Sequence, residues 1–379
     1  MPWKESTCMS QRREFVMLAA AADINLSQLC ERFGISRKTG YKWLSRFRAN
    51  SAGLADLSRR PHHSPWRTRA DIEAQVLKLR RQHPAWGGRK LRARLIALGN
   101  ANVPAASTIT AILHRHQMIA PEESLRPQSF QRFEHPQPND LWQMDFKGHF
   151  ATAAGRCYPL TVLDDHSRFA LELRACANQR GETVQQALTS VFRRYGLPWR
   201  MTMDNGSPWG RYMDSRSRWT RFTVWLLRLG VRVSHSRPFH PQTQGKDERF
   251  HRTIEVELLR DFAWRDLDEC QRRFETWRHQ YNCQRPHEAL QLQVPATRYR
   301  VSVRPFPEHL PAIEYPSDSL VRRVQKSGVI YWHHKPYFVG EAFWGLDVAL
   351  RPTSTDGHYD VYFCQQHIVT LDLTTQLPK

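Results

Sequence analysis

The sequence contains no apolar run approaching the ~20 residues of a membrane span, and its N-terminus, MPWKESTCMSQRREF, lacks the uninterrupted apolar core of a secretory signal. Its seven cysteines, at positions 8, 30, 157, 176, 270, 283 and 364, never form a CxxC pair, and none sits at the His spacing a structural zinc site requires. These absences imply a soluble cytoplasmic chain with reduced thiols and no membrane partner. Acids are also scarce, 36 Asp and Glu against 56 Lys and Arg, and no low-complexity tail holds the resulting charge of +20. Such an excess points to a polyanion, most often nucleic acid. Apolar residues make up 40% of the 379 positions, enough for two or three globular cores.

The first organised stretch is NLSQLCERFGISRKTGYKWLSRF, Asn25 to Phe47. Leu26, Leu29, Cys30 and Phe33 recur at helical spacing, Gly34 supplies a turn, and Ser36 can cap a second helix carrying Arg37, Lys38 and Lys42. This is the pattern of a helix-turn-helix whose second helix offers cations to DNA, and the DNA-binding domain is placed at 1–60. Past the Pro/His/Ser/Arg linker SRRPHHSPWRTR, the apolar stripe Ile72, Val76, Leu79 and then Leu91, Leu95, Leu98 repeats the arrangement, placing a second unit at 66–120 with Arg89 and Lys90 as its DNA contacts. Two such units in tandem suit an extended site on double-stranded DNA.

A proline-containing linker, 121–138, precedes a change of character. DLWQMDFKGHF and RCYPLTVLDDHSRFALELRA read as strands in meander order, followed by a helix closed by Gly196, a strand ending at Asp204, a helix closed by Gly230 and the strand VRVSHS. The order β-β-β-α-β-α-β-α implies a mixed five-stranded sheet flanked by helices, placed at 139–300. Three acids stand out by position: Asp145 inside the first strand, Asp204 at a strand end, and Glu248 at the start of the helix opened by HPQTQGKDERF. A charged Asp in an apolar strand is costly unless a cation answers it, and three carboxylates on one sheet edge suit two hard divalent ions.

The contexts LWQMDF, TMDNG and HPQTQGKDERFHRT resemble the DDE catalytic core shared by bacterial insertion-sequence transposases and retroviral integrases, over roughly Asp140 to Leu290. The resemblance implies an RNase H-like fold, Asp145, Asp204 and Glu248 as the catalytic, metal-binding triad, two Mg²⁺ ions that Mn²⁺ can replace, and a homo-oligomer assembled on element ends and target DNA. It also implies nicking followed by joining of 3′-hydroxyl ends to target. A catalytically inactive DNA-binding regulator and an RNase H-like nuclease without strand transfer are the alternatives. Asp204 and Glu248 are separated more widely than is usual in that superfamily, with Trp209 to Trp219 as the inserted loop.

Around Glu248, the residues His240, Gln242, Gln244, Lys246 and Arg249 are candidate DNA contacts, Lys246 foremost. Asp164 and Asp165 are assigned to turn and hydrogen-bonding roles. Asp247 is expected to point away, since neighbours on a helix lie about 100° apart. Phe250, Ile254 and Leu258 give that helix its buried stripe, and Trp277 and Tyr281 give the next helix its own. Short alternating runs punctuated by Ser327-Gly328, Lys335-Pro336 and Asp356-Gly357 imply five or so strands forming a small β-barrel at 315–379.

Overall fold

The computed structural model describes residues 7–21, 24–50, 54–56, 68–119, 134–210, 219–235, 245–260 and 262–373. The chain divides into two compact units, Met1–Arg67 and Thr68–Lys379. Most of the expected linkers, 57–67 and 120–133, and most of the expected insertion, 211–218, lie outside the described residues.

The first unit holds three helices, α1 (Cys8–Ala19), α2 (Leu26–Arg32) and α3 (Arg37–Ala49). The N-terminal caps are those the sequence implies: Asn25 Oδ1 accepts from the N–H of Ser27 at 3.0 Å, and Ser36 Oγ accepts from that of Thr39 at 3.2 Å. The sequence reading does not anticipate α1, which supplies Phe15 and Val16 to a core shared with Leu29, Cys30 and Trp43. At Gly40 a Cβ would stand 2.5 Å from Cys30 Sγ and 3.0 Å from the Phe15 ring, so the close approach of α3 depends on glycine.

The second unit opens with α4 (Ala70–Gln82), α5 (Gly88–Ala97) and α6 (Ala106–Arg115), closed around Val76, Trp86, Leu91, Leu95 and Ile109. A sheet region comes next: β1 (Trp142–Phe146), β2 (Phe150–Thr152), β3 (Gly155–Asp164), β4 (Ala170–Cys176), α7 (Gly181–Tyr195), β5 (Arg200–Met203), α8 (Arg221–Arg228), β6 (Arg232–His235), α9 (Gly245–Ile254) and α10 (Leu267–Cys283). Between α9 and α10 the helix widens into a π-helical turn, Glu255–Leu259.

Strand β3 pairs antiparallel with β1 and with β4, while β1 pairs parallel with β5 and β5 parallel with β6. Strand β2 adds a sixth member. It continues the line of β1 along β3: the Lys147 N–H donates to the Pro159 carbonyl at 3.0 Å in β1's own register, Gly148 turns at φ +89°, and Phe150 then faces Cys157. Six strands therefore fill the five positions expected of the mixed sheet. One face packs Met144, Leu160 and Val162 against Leu188 and Phe192 of α7 and Leu226 of α8, and the other packs Cys157, Leu163 and Leu173 against Phe250 of α9 and Phe274 and Trp277 of α10. With both faces covered, β3 is buried almost continuously from Pro159 to Asp164.

Beyond α10 the chain crosses back over the sheet. Tyr299 stacks on Phe169 with centroids 4.3 Å apart, and the Arg304 guanidinium donates to the carbonyls of Pro198 and Leu229. Six further strands complete the chain, β7 (Leu320–Arg323), β8 (Val329–Trp332), β9 (Lys335–Phe338), β10 (Asp347–Pro352), β11 (His358–Phe363) and β12 (Gln366–Asp372). Among the described residues they form a four-stranded antiparallel sheet, β12-β11-β10-β7, and a separate β8-β9 hairpin, rather than the single closed barrel expected. The reason is packing. Phe343, Val348, Val361 and Phe363 belong to the same apolar cluster as Phe192 and Trp225, so the sheet covers the neighbouring core instead of rolling around its own.

Candidate active site

Alternation along β1 sends Trp142, Met144 and Phe146 into the core beneath α7 and α8, which leaves Gln143 and Asp145 on the opposite face, beneath α9. Asp145 lies opposite Thr161 of β3, and its Oδ1 accepts from the N–H of Phe146 at 2.8 Å. Burial, reinforced by the charge of Asp204, pushes its carboxyl up to about 7. Asp204 comes directly after β5. Its Oδ1 accepts from the N–H of Gly206 at 2.9 Å and from the indole N–H of Trp209. The Trp209 ring stacks on Phe146, centroids 5.4 Å apart, so one side chain ties the end of β1 to the carboxylate after β5. The sequence reading gives Trp209 only to the edge of a loop. The lone signal for it is an aromatic five residues beyond an acid at a strand end.

Helix α9 supplies the third acid differently from expectation. Asp247 is 4% exposed, whereas Glu248 and Arg249 face outward. The prediction that Asp247 points away is therefore corrected: Asp247, Phe250 and Ile254 share the buried stripe at i, i+3, i+7. Burial, with the charges of Asp145 and Asp165 next, holds the Asp247 carboxyl well above the usual range, and its Oδ1 has no hydrogen-bond partner. Among the described residues, no three His, Cys, Asp or Glu side chains stand together at metal-holding distance. Asp145 and Asp204 interact closely enough for the charge of one to shift the other, and Glu248 is not drawn in with them.

His251, one turn beyond Glu248, is absent from the sequence candidates. Its Nε2 lies 2.9 Å from Thr161 Oγ1, which donates to the Asp145 carbonyl at 2.9 Å, and its Nδ1 is 3.9 Å from Asp145 Oδ2. Burial pushes its imidazolium down to about 4, so it is neutral at physiological pH and joins α9 to β1 and β3 without adding charge.

Of the expected DNA contacts, Arg37, Lys38 and Lys42 are exposed on α3, and the Lys42 ammonium lies 4.8 Å from the Trp43 ring. Arg89 is exposed at the start of α5, 4.0 Å from Glu288. Lys90 is half-buried beside Arg285 and Glu257, and burial, then the charge of Arg285, pushes its ammonium down to about 8. Lys246 departs most from its assignment, because its ammonium forms an ion pair with the buried carboxylate of Asp165. Asp165 also accepts from the His135 N–H and from Gln143 Nε2, each at 2.9 Å, and Asp164 accepts from Asn139 and Ser167 N–H groups at 2.8 Å, so both acids take hydrogen-bonding roles. An anion buried on that strand end needs a cation, and Lys246 is within its reach. His240, Gln242 and Gln244 lie outside the described residues.

Integrase core domain families match residues 135–241 and 229–295, the C-terminal domain of IS481 family transposases matches 319–379, a helix-turn-helix domain matches 11–62, and a homeodomain-like domain matches 39–113. Among curated proteins, the insertion element IS407 uncharacterized 31.7 kDa protein of Burkholderia multivorans is 27% identical over 159 residues, 42% of this chain and 54% of that protein. The insertion element IS476 uncharacterized 39.2 kDa protein of Xanthomonas euvesicatoria is 25% identical over 167 residues, 44% of this chain and 46% of that protein. The chain thus spans about half the length of the curated relatives it matches. Among solved structures, a chain of the simian T-cell lymphotropic virus intasome in complex with PP2A regulatory subunit B56 gamma is 16% identical, with 78% of this chain and 99% of that one covered and a TM-score of 0.38.

Proposed function

We propose that the chain, which matches integrase core and IS481 transposase C-terminal domains and resembles insertion-element proteins, is an insertion-sequence transposase of the DDE and integrase superfamily that nicks DNA at the ends of such an element and joins the freed 3′-hydroxyls to target DNA. Residues 1–60 and 66–120 read the element end, 121–138 links them to the catalytic core at 139–300, and 315–379 buttresses that core. Arg37, Lys38 and Lys42 of α3, with Arg89 of α5 and Arg249 of α9, are the proposed phosphate and base contacts. A homo-oligomer holds two ends together.

The observation that carries this reading is the pair Asp145 and Asp204. Two carboxylates brought together at the edge of a buried sheet, one of them held at about 7 by burial and by the other's charge, suit a hard divalent cation, and oxygen donors select Mg²⁺ or Mn²⁺. Asp145, Asp204 and, from α9, Glu248 are the proposed ligands. Two ions bound there would activate the attacking oxygen and stabilise the leaving one. The chain's own contribution is to hold the ligands still: Trp209 and the Gly206 N–H fix one oxygen of Asp204, leaving the other for an ion, and Thr161 with His251 fixes the backbone at Asp145. The bonds of His251 and the Lys246–Asp165 ion pair set where α9 lies.

A strand-transfer assay on labelled element ends tests the proposal. Wild-type protein in Mg²⁺ is expected to give joined product. Asp145→Asn and Asp204→Asn are expected to lose cleavage and joining together while retaining DNA binding, because each removes a ligand without changing shape. Cut but unjoined product would make the chain a nuclease, and binding without any product a regulator.

A further inference from the structure

We propose that the cavity between the β1–β2 break and the π-helical turn receives a single unpaired nucleobase, guanine by preference, from the DNA handled at Asp145. This inference rests on the reading of the chain as a DNA-processing enzyme.

The cavity encloses about 230 Å³ and is walled by Lys147, Phe150, Glu255, Leu259, Phe262 and Trp264. Phe150, Phe262 and Trp264 give it aromatic walls, and His149 adds a fourth ring to the lining. The Phe150 and Phe262 rings lie 5.4 and 5.2 Å from that of Trp264. Phe262 is 41% exposed, and the Arg273 guanidinium lies 3.5 Å from its centroid. Aromatic faces backed by arginine are what proteins use to stack bases released from a duplex.

Ring walls alone would accept any flat or apolar group. The polar pair on the wall narrows the choice, because the Lys147 ammonium and the Glu255 carboxylate are joined there in an ion pair. A carboxylate only accepts hydrogen bonds and an ammonium only donates them. Guanine answers both along one edge, with N1–H and N2–H for Glu255 and O6 for Lys147. Thymine brings two carbonyls flanking a single N–H.

Placement links the pocket to the chemistry. Lys147 is two residues beyond Asp145 on the same strand line, about 7 Å along it, so neighbouring nucleotides of one strand can occupy the carboxylates and the pocket. Glu255 lies seven residues beyond Glu248, about two helical turns, at the start of the π-helical turn. Such turns are rare and concentrate at functional sites. Leu258 and Leu259 of this turn pack against the core beneath α9 and α10, while Glu255 at its start stays exposed on the cavity wall.

The test uses the full-length protein and forked duplexes identical in their paired part, each ending in one unpaired G, A, C or T, titrated by fluorescence anisotropy in EDTA. The G-tipped fork is expected to bind about tenfold more tightly than the T-tipped one, the scale on which one bidentate base-edge contact discriminates between bases. Phe262→Ala should weaken binding of all four forks, and Glu255→Gln should bring G and T to equal affinity. Both side chains reach the surface, and a preference for one base that depends on one side chain does not arise from loss of fold. Equal affinity for the four tips in the wild type, or a guanine preference that survives Glu255→Gln, overturns the pocket. Nicking of supercoiled plasmid in Mg²⁺ separates the two readings. Asp145-dependent nicking with no tip preference sinks the pocket alone, and a tip preference without nicking sinks the enzymatic reading while supporting the pocket.

Discussion

Asp145 is the residue on which pH acts most directly. Its folded-state carboxyl is raised to about 7 from 3.8, so the unfolded chain gives up this proton first. Its contribution to stability is therefore fully present below about pH 4 and lost as pH rises through 7. In metal-free protein at pH 8, Asp145→Asn is expected to raise the melting temperature, through a gain in stability on the order of a few kcal/mol at most, and the advantage should vanish near pH 4. A cation must displace the same proton, so apparent Mn²⁺ affinity, read by electron paramagnetic resonance, should fall roughly tenfold per pH unit below 7. Affinity that is flat from pH 8 to 5 would remove Asp145 from the ligand set. The neighbours Asp247 and Glu248 give a second test. Burial holds the Asp247 carboxyl well above the usual range, and Asp247→Asn keeps its shape, so that variant should keep strand transfer within a few-fold, whereas Glu248→Gln should abolish it. The reverse result would move the third ligand to Asp247. Sequence alone is enough to orient this helix correctly. Phe250 and Ile254 mark its buried stripe, and Asp247 stands three residues before Phe250 on the same line. Placing Asp247 relative to Glu248, instead of relative to that stripe, turns it the wrong way. Trp209 is illegible for another reason: nothing local announces that a loop indole will reach back to an acid five positions earlier.

Among the elements, α2 and α3 are legible because Asn25 and Ser36 cap them and Gly34 separates them at φ +63°. Helix α1 is not, because only Phe15 and Val16 of its twelve residues are buried, too few to mark a periodic face. In the sheet, glycines at helix ends locate α7 and α8, whereas the break between β1 and β2 depends on the positive φ of Gly148, which composition does not reveal. The close approach at Gly40 carries a prediction. Gly40→Ala forces a Cβ against Cys30 and Phe15 in a well-packed core, at a cost of about 1–3 kcal/mol. Thermal melting of the isolated fragment 1–67 should drop accordingly, and an unchanged melt would mean that α3 does not cross α1 and α2 this closely. Arg37→Ala and Lys38→Ala should leave that melt in place but weaken DNA binding. The slope of log affinity against log salt should become shallower by about one unit for each phosphate no longer neutralised, and an unaltered slope would place the DNA-binding cations on another helix.

For the whole molecule, charge and packing divide the labour. Tyr315 to Lys379 contains six Lys and Arg and six Asp and Glu, so the entire excess of +20 resides in the preceding residues. The C-terminal sheet therefore has little to offer a phosphate backbone and much to offer the core. Trp219, which precedes α8, meets Phe343 edge to face with centroids 6.0 Å apart, and Phe343 is fully buried. Removing 315–379 is thus expected to strip the catalytic region of part of its apolar cover, giving an aggregating product instead of a smaller active enzyme. A soluble fragment 68–314 with an unchanged melting temperature would contradict this. The strands of this region are legible from alternation and turns. Their failure to close is not, because whether a sheet rolls on itself or lies on a neighbour depends on long-range packing.

That shared core also sets an order of events on the ribosome. Among the described residues, the apolar core of the three-helix unit, from Phe15 to Leu54, lies within the first 67 residues. The catalytic sheet, by contrast, shares its apolar cluster with Ile368 and Leu371. At about 5–20 residues per second, on the order of 15–60 s of synthesis separates the two. During that interval the nascent chain carries a finished three-helix unit and a sheet still lacking part of its apolar cover, so under the proposed function it would engage DNA before it could cut it.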